Sequence, residues 1–132
     1  MLEKVNVAVV GLGNMGKHHV RNYSEIHTAN LVAVCDLQDS LVNDFSKKYS
    51  CRGYVDLDEM LEREDIHAIS ITVPTMLHYS IAKKVINSGK HVLIEKPICD
   101  TVEKAEEILS LADEKGVLVM IGHIERFNPA VK

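Results

Sequence analysis

The sequence predicts an α/β protein built on a doubly wound, mostly parallel sheet of about six strands. Three features of the chain lead there. Short apolar runs rich in Val and Ile recur along it, apolar on both strand faces. Between them lie stretches whose apolar residues repeat at helical spacing. Glycines, prolines and capping residues mark the boundaries. A strand that is apolar on both faces has to be covered on both, and the alternating helices supply that cover.

In order, VNVAVV at residues 5–10 reads as a strand, and the segment after Gly13 to about Ser24 as a helix. Leu31–Cys35 is a second strand. Ser40–Tyr49 places Leu41, Val42, Phe45 and Tyr49 at helical spacing. A short strand over Arg52–Val55 follows. Asp56 and Glu59 have the spacing of a capping box that opens a helix over Leu57–Arg63. Ala68–Val73 is a third strong strand, stopped by Pro74. Thr75 can cap a helix carrying Leu77, Ile81 and Val85 on one face, ended by Gly89. His91–Ile94 is the next strand. Asp100 with Glu103 predicts a capped helix that turns Val102, Ala105, Leu109 and Ala112 inward and stops at Gly116. Val117–Ile121 is the last strand. This order fits a Rossmann-type sheet with right-handed crossovers.

A chain of 132 residues, 46% hydrophobic and 26% charged, fits one domain with one core. The net charge of −4 and the lack of a basic stripe argue against a nucleic-acid partner. Lys47-Lys48 and Lys83-Lys84 read as solvated helix faces. No apolar run approaches the ~20 residues that span a bilayer, so no membrane role is expected. Met1–Lys4 lacks the charged-then-apolar pattern of a signal peptide. Cys35, Cys51 and Cys99 are odd in number, without C-x-x-C. They read as reduced thiols of a cytoplasmic protein, with Cys35 and Cys99 as small apolar filler.

Gly11, Gly13 and Gly16 form G-x-G-x-x-G between a strand and a helix. Gly11 permits a tight turn, Gly13 leaves room for a pyrophosphate, and Gly16 lets the helix pack close on the strand. Exposed N–H groups and the helix dipole then attract the anion. Asp36 closes the second strand about 20 residues after the last glycine, where a carboxylate accepts from ribose hydroxyls. It repels a 2′-phosphate, and no arginine follows in CDLQDS, which favours NAD over NADP. The competing explanation is a plain tight turn followed by a helix-capping aspartate. His18 and His19 point to different sides of a helix, and at most one faces the glycine turn. Neither HHVRN nor HIERF is H-E-x-x-H, so no metal site is expected.

TVPTMLH, IEKP and GHIERFNP also fall at carboxyl ends of strands, where open α/β sheets bind ligands. With GLGNMGKHH, CD, VPTMLH, EKP and RFNP in this order, the whole chain resembles the glucose–fructose oxidoreductase/inositol dehydrogenase (Gfo/Idh/MocA) family. Within it, GHIERFNPAV looks most like members acting on nucleotide-linked amino sugars. The resemblance implies that Gly11, Gly13, Asn14 and Met15 line the pyrophosphate and Asp36 holds the ribose. It implies that Val73, Pro74, Thr75 and His78 lie along the cofactor and that Glu95 contacts the nicotinamide ribose side. Lys96 would be catalytic and reach the reacting carbon, Pro97 would follow an often-cis bond, and Arg126 would sit near the nicotinamide end.

The chemistry is also arguable directly. Oxidising a secondary alcohol removes a hydride, which nicotinamide takes, and a proton, which a side chain must take. Lys96 can do so if desolvation and a nearby positive ring favour its neutral form. Residues 1–122 then form the dinucleotide-binding domain, and residues 123–132 start the crossing to a C-terminal substrate domain. The resemblance implies that such a domain supplies the contacts to a sugar, nucleotide-sugar or cyclitol substrate, a catalytic partner for Lys96 and a homo-oligomer interface. The 132 residues alone are expected to turn over little or nothing. Two other readings remain at this stage: an NAD-sensing regulatory module, and a structural domain with an empty crevice.

Overall fold

A computed structural model describes residues 4–122. The chain runs β1 (Val5–Val10), α1 (Asn14–Glu25), β2 (Ala29–Cys35), α2 (Asp39–Tyr49), β3 (Arg52–Tyr54), α3 (Leu57–Arg63), β4 (Ala68–Ile71), α4 (His78–Asn87), β5 (His91–Glu95), α5 (Val102–Lys115) and β6 (Val119–Gly122). A 3-10 turn over Thr75–Leu77 precedes α4. All pairings are parallel, and the sheet order is β3-β2-β1-β4-β5-β6. The expected doubly wound sheet is therefore present. The chain winds outward from β1 in both directions, so the loops after β1 and β4 part and leave a crevice at the carboxyl edge.

The two sheet faces bury different residues, as strand alternation requires. Ala8, Val10, Ile69, Ile71, Val92 and Ile94 pack with Met60 of α3, Val85 and Ile86 of α4, and Ile108 of α5. Val9 and Val34 face the other way, onto Val20 of α1 and Val42 of α2. Each fully buried side chain of this size stabilises the fold by roughly 1.5–3 kcal/mol. No described helix is long and apolar enough to cross a membrane.

The departures from the expected elements have local causes. β2 starts at Ala29, ahead of Leu31, because Val5 N–H donates to Thr28 O at 2.8 Å and the ladder with β1 begins there. β4 stops at Ile71, before Val73, because Thr72 turns its hydroxyl back onto β1. Thr75 caps nothing; it opens the 3-10 turn, which has no side-chain cap. Thr101, one residue past Asp100, caps α5, its hydroxyl accepting from Lys104 N–H at 3.2 Å. The Asp100 carboxylate pairs instead with Lys104 Nζ at 3.2 Å. Val102 and Leu109 face outward, 69% and 46% exposed, while Ile108 and Ala112 are buried. The inward stripe of α5 is thus turned by about one residue. At α3, Asp56 caps as expected, accepting from Asp58 and Glu59 N–H at 2.9 and 3.4 Å. Glu59, however, pairs with Arg63 at 3.3 Å.

The glycines of the opening turn differ sharply in the space around them. A Cβ on Gly16 would lie 1.7 Å from Gly11 O, whereas one on Gly13 would meet nothing within 4 Å. Gly16→Ala should therefore cost at least about 3 kcal/mol, the upper end of overpacking penalties, because the obstructing atom is backbone. Gly13→Ala should change stability by no more than about 1 kcal/mol. Urea denaturation of both variants checks this, and equal losses would contradict it.

Candidate functional site

The turn after β1 is fixed from three directions. Gly11, at φ +99°, donates its N–H to Cys35 O at 2.8 Å. Thr72 N–H donates to Val10 O at 2.8 Å, and its hydroxyl lies 2.7 Å from Gly11 O and 3.0 Å from Val10 O. Leu12 N–H donates to Asp36 Oδ2 at 2.7 Å, while Asp36 Oδ1 accepts from Gln38 N–H at 2.8 Å. Gly11 O is thereby enclosed between Thr72 and Gly16. The next N–H groups are left to point elsewhere.

The first main-chain bond of α1 runs from Lys17 N–H to Gly13 O at 2.9 Å, and no side chain caps the helix. The N–H groups of Asn14, Met15 and Gly16 consequently have no intrahelical acceptor. They stand at the positive end of the helix dipole, beside open space over Gly13. Such a terminus takes an anion without further devices. Asp36 keeps acceptor capacity beyond its two main-chain bonds.

A cavity of about 830 Å³ spans the crevice between β1 and β4. Gly11, Gly13, Asp36, Val73 and Pro74 border it. Opposite them Leu37, Leu41, Val55, Leu57, Leu77 and Ile81 form an apolar wall. A polar, anion-ready rim with an apolar wall of this size matches a nucleotide better than a bare phosphate or a metal ion. Asn14 borders a second, smaller cavity of about 440 Å³ on the other side of the turn, with Lys17 and Lys48. Met15, 37% exposed, borders neither.

The remaining expected site residues gather at the ends of β4 and β5 rather than on the wall of the larger cavity. Lys96 is exposed and precedes a cis peptide bond to Pro97. Glu95 is partly buried, its Oε1 3.4 Å from His19 Nε2. His19 is buried and His18 exposed, so the buried member of the pair turns toward β5. Burial holds the His19 imidazole below its ordinary proton affinity, against the opposing pull of Glu95. His78 lies 3% exposed beneath the loops, with main-chain carbonyls on both ring nitrogens. Burial, with Asp36 and Asp56 nearby, pushes the Cys35 thiol up to about 12, and burial pushes Cys51 up to about 11. Arg126 lies outside the described residues.

The sequence gave no sign of the Thr72 hydroxyl's grip on Gly11, nor of the apolar wall, whose members come from several separate segments. The sequence model described as "Oxidoreductase family, NAD-binding Rossmann fold", that of Gfo/Idh/MocA, matches residues 5–123. The chain belongs to this family. Its curated relatives include UDP-N-acetylglucosamine 3-dehydrogenase of Acidithiobacillus ferrooxidans, 31% identical over 97% of this chain and 40% of that protein. They also include the scyllo-inositol 2-dehydrogenase (NAD(+)) of Bacillus subtilis, 30% identical over 98% of this chain and 39% of that protein. Among solved Gfo/Idh/MocA-like folds, the WlbA dehydrogenase of Bordetella pertussis, in complex with NADH and UDP-GlcNAcA, superposes with a TM-score of 0.91. It is 26% identical, covering 98% of this chain and 40% of that one. The chain thus spans about 40% of the length of these relatives.

The His19–Glu95 contact has a consequence for stability. A histidine whose proton affinity falls on folding binds its proton more readily in the unfolded chain. Its contribution is therefore intact above the unfolded value of 6.5 and is lost as pH drops through it. The unfolding free energy of the wild type minus that of His19→Gln should fall between pH 7.5 and pH 5. Denaturant titrations across that range measure it, and a difference that stays level or grows on acidification contradicts it.

Proposed function

We propose that this domain binds NAD across the β1/β4 crevice and belongs to a dehydrogenase acting on a secondary alcohol of a sugar, nucleotide sugar or cyclitol. One observation carries the reading: acceptor-free N–H groups at the start of α1 sit beside the Asp36 carboxylate, on the rim of a cavity of about 830 Å³. The N–H groups of residues 14–16 hold the diphosphate, with Gly11, Gly13, Asn14 and Met15 around it. Asp36 accepts from the ribose hydroxyls and disfavours the extra phosphate of NADP. Val73, Pro74 and Thr75 continue the path toward the ends of β4 and β5, where Glu95 meets the second ribose. Arg126 joins this end by resemblance to the family.

When bound, the nicotinamide supplies the hydride acceptor. Lys96, as the neutral amine, takes the hydroxyl proton while the carbon–oxygen bond becomes a carbonyl. In the reverse direction the ammonium returns that proton. Glu95, tied to His19, sets the strand end from which Lys96 projects. The named relatives act on a nucleotide sugar and on an inositol, and both supply secondary alcohols. Since the chain spans about 40% of these relatives, we assign substrate contacts, the second catalytic partner and oligomer formation to further chain. Residues 1–132 alone turn over little. The whole protein works in the cytoplasm, without a nucleic-acid or membrane partner. A purely NAD-sensing module would have no use for an exposed lysine at the end of β5, which favours the enzyme.

The test uses the longer protein that carries this domain. Lys96→Ala should lower kcat by about 10²–10⁴-fold, the range for a lost proton-transfer group, with NAD affinity nearly unchanged. NAD should raise the melting temperature of both forms more than NADP does. Preserved turnover in the variant removes Lys96 from the chemistry. A larger shift with NADP overturns the role given to Asp36.

A further inference from the structure

His78 opens α4 and is buried, and every hydrogen-bond partner of its ring is a main-chain carbonyl oxygen. Nε2 lies 2.9 Å from Val73 O, and Nδ1 lies 3.1 Å from both Pro97 O and Ile98 O. Carbonyl oxygens only accept. A neutral imidazole offers one N–H and one lone pair. In either neutral tautomer, therefore, a lone pair would face a carbonyl oxygen at about hydrogen-bonding distance in a buried place. With a proton on each nitrogen, both sides become charge-assisted bonds.

The three carbonyls belong to two separate loops. Val73 follows β4 and borders the large cavity, while Pro97 and Ile98 follow Lys96 at the end of β5. We propose that His78 carries both ring protons in the folded chain and acts as a positioning residue, tying the Lys96 loop to the cavity wall at Val73. It does not border the cavity itself. Replacing it leaves the glycine turn and Asp36 in place but frees the backbone on which Lys96 stands. The double protonation stands on the ring's own contacts; the consequence for Lys96 rests on the proposed NAD site.

Two measurements test this. In the ¹⁵N-histidine-labelled chain at neutral pH, long-range proton–nitrogen spectra should show both His78 ring nitrogens as N–H. A nitrogen with a free lone pair overturns the double protonation, and this reading needs no variant. NADH is then titrated into the wild type, His78→Gln and His78→Phe while main-chain amide signals are followed. The amides of residues 12–16 should shift alike in all three, and the Lys96 amide shift should be largely lost in the variants. A Lys96 shift equal to that of the wild type overturns the positioning role. If NADH moves none of residues 12–16 in the wild type, the NAD reading fails and the positioning role fails with it, while the nitrogen spectra still decide the protonation.

Discussion

Gly16 packs so tightly on Gly11 that a single added carbon would sit 1.7 Å from a carbonyl oxygen. That approach brings the first turn of α1 against the end of β1, and the rest of the carboxyl edge is arranged around it. Thr72, Cys35 and Asp36 each hydrogen-bond the turn from a neighbouring strand end. Because these bonds occupy the inward groups of residues 10–12, the donors of residues 14–16 are left for a ligand. Asp36 acts on both sides of this arrangement. It fixes the turn through Leu12 N–H and keeps acceptor capacity for a sugar hydroxyl.

The other end of the site is assembled by polar contacts across elements that are far apart in sequence. His19 reaches from α1 to Glu95 at the end of β5, and its neighbour Tyr23 bonds Ser70 of β4 at 2.6 Å. His78 reaches from α4 to both loops that flank Lys96's strand and the cavity wall. These buried contacts are satisfied; no buried side-chain nitrogen or oxygen among the described residues lacks a partner. Satisfied polar networks of this kind rigidify the parts they join. The lysine therefore stands on a braced strand end while its own side chain remains exposed.

Much of the fold was legible because parallel strands write themselves as uninterrupted apolar runs, and VNVAVV, AISI and HVLIE all lie in the sheet. The phase of α5 was not, because Val102, Ala105, Leu109 and Ala112 form as good a stripe on paper as the one around Ile108. Only packing against α4 and the sheet chooses between them. The glycine turn and Asp36 were legible because their spacing is imposed by a ligand's shape. Thr72 was not, since a threonine at a strand end is common and its bond to Gly11 exists only once β1 and β4 are paired. His78 had been expected along the cofactor, yet its ring is turned into the protein, a distinction that sequence position cannot make.

The central claim is that the acceptor-free start of α1 and the carboxylate of Asp36 together receive one dinucleotide. A crystal structure of this chain grown with NAD tests it most directly. The diphosphate should lie on the N–H groups of residues 14–16, with the adenosine ribose hydroxyls on Asp36 and the adenine against the wall that includes Leu37 and Ile81. A dinucleotide bound elsewhere, or a crevice filled with water at saturating NAD, would contradict it.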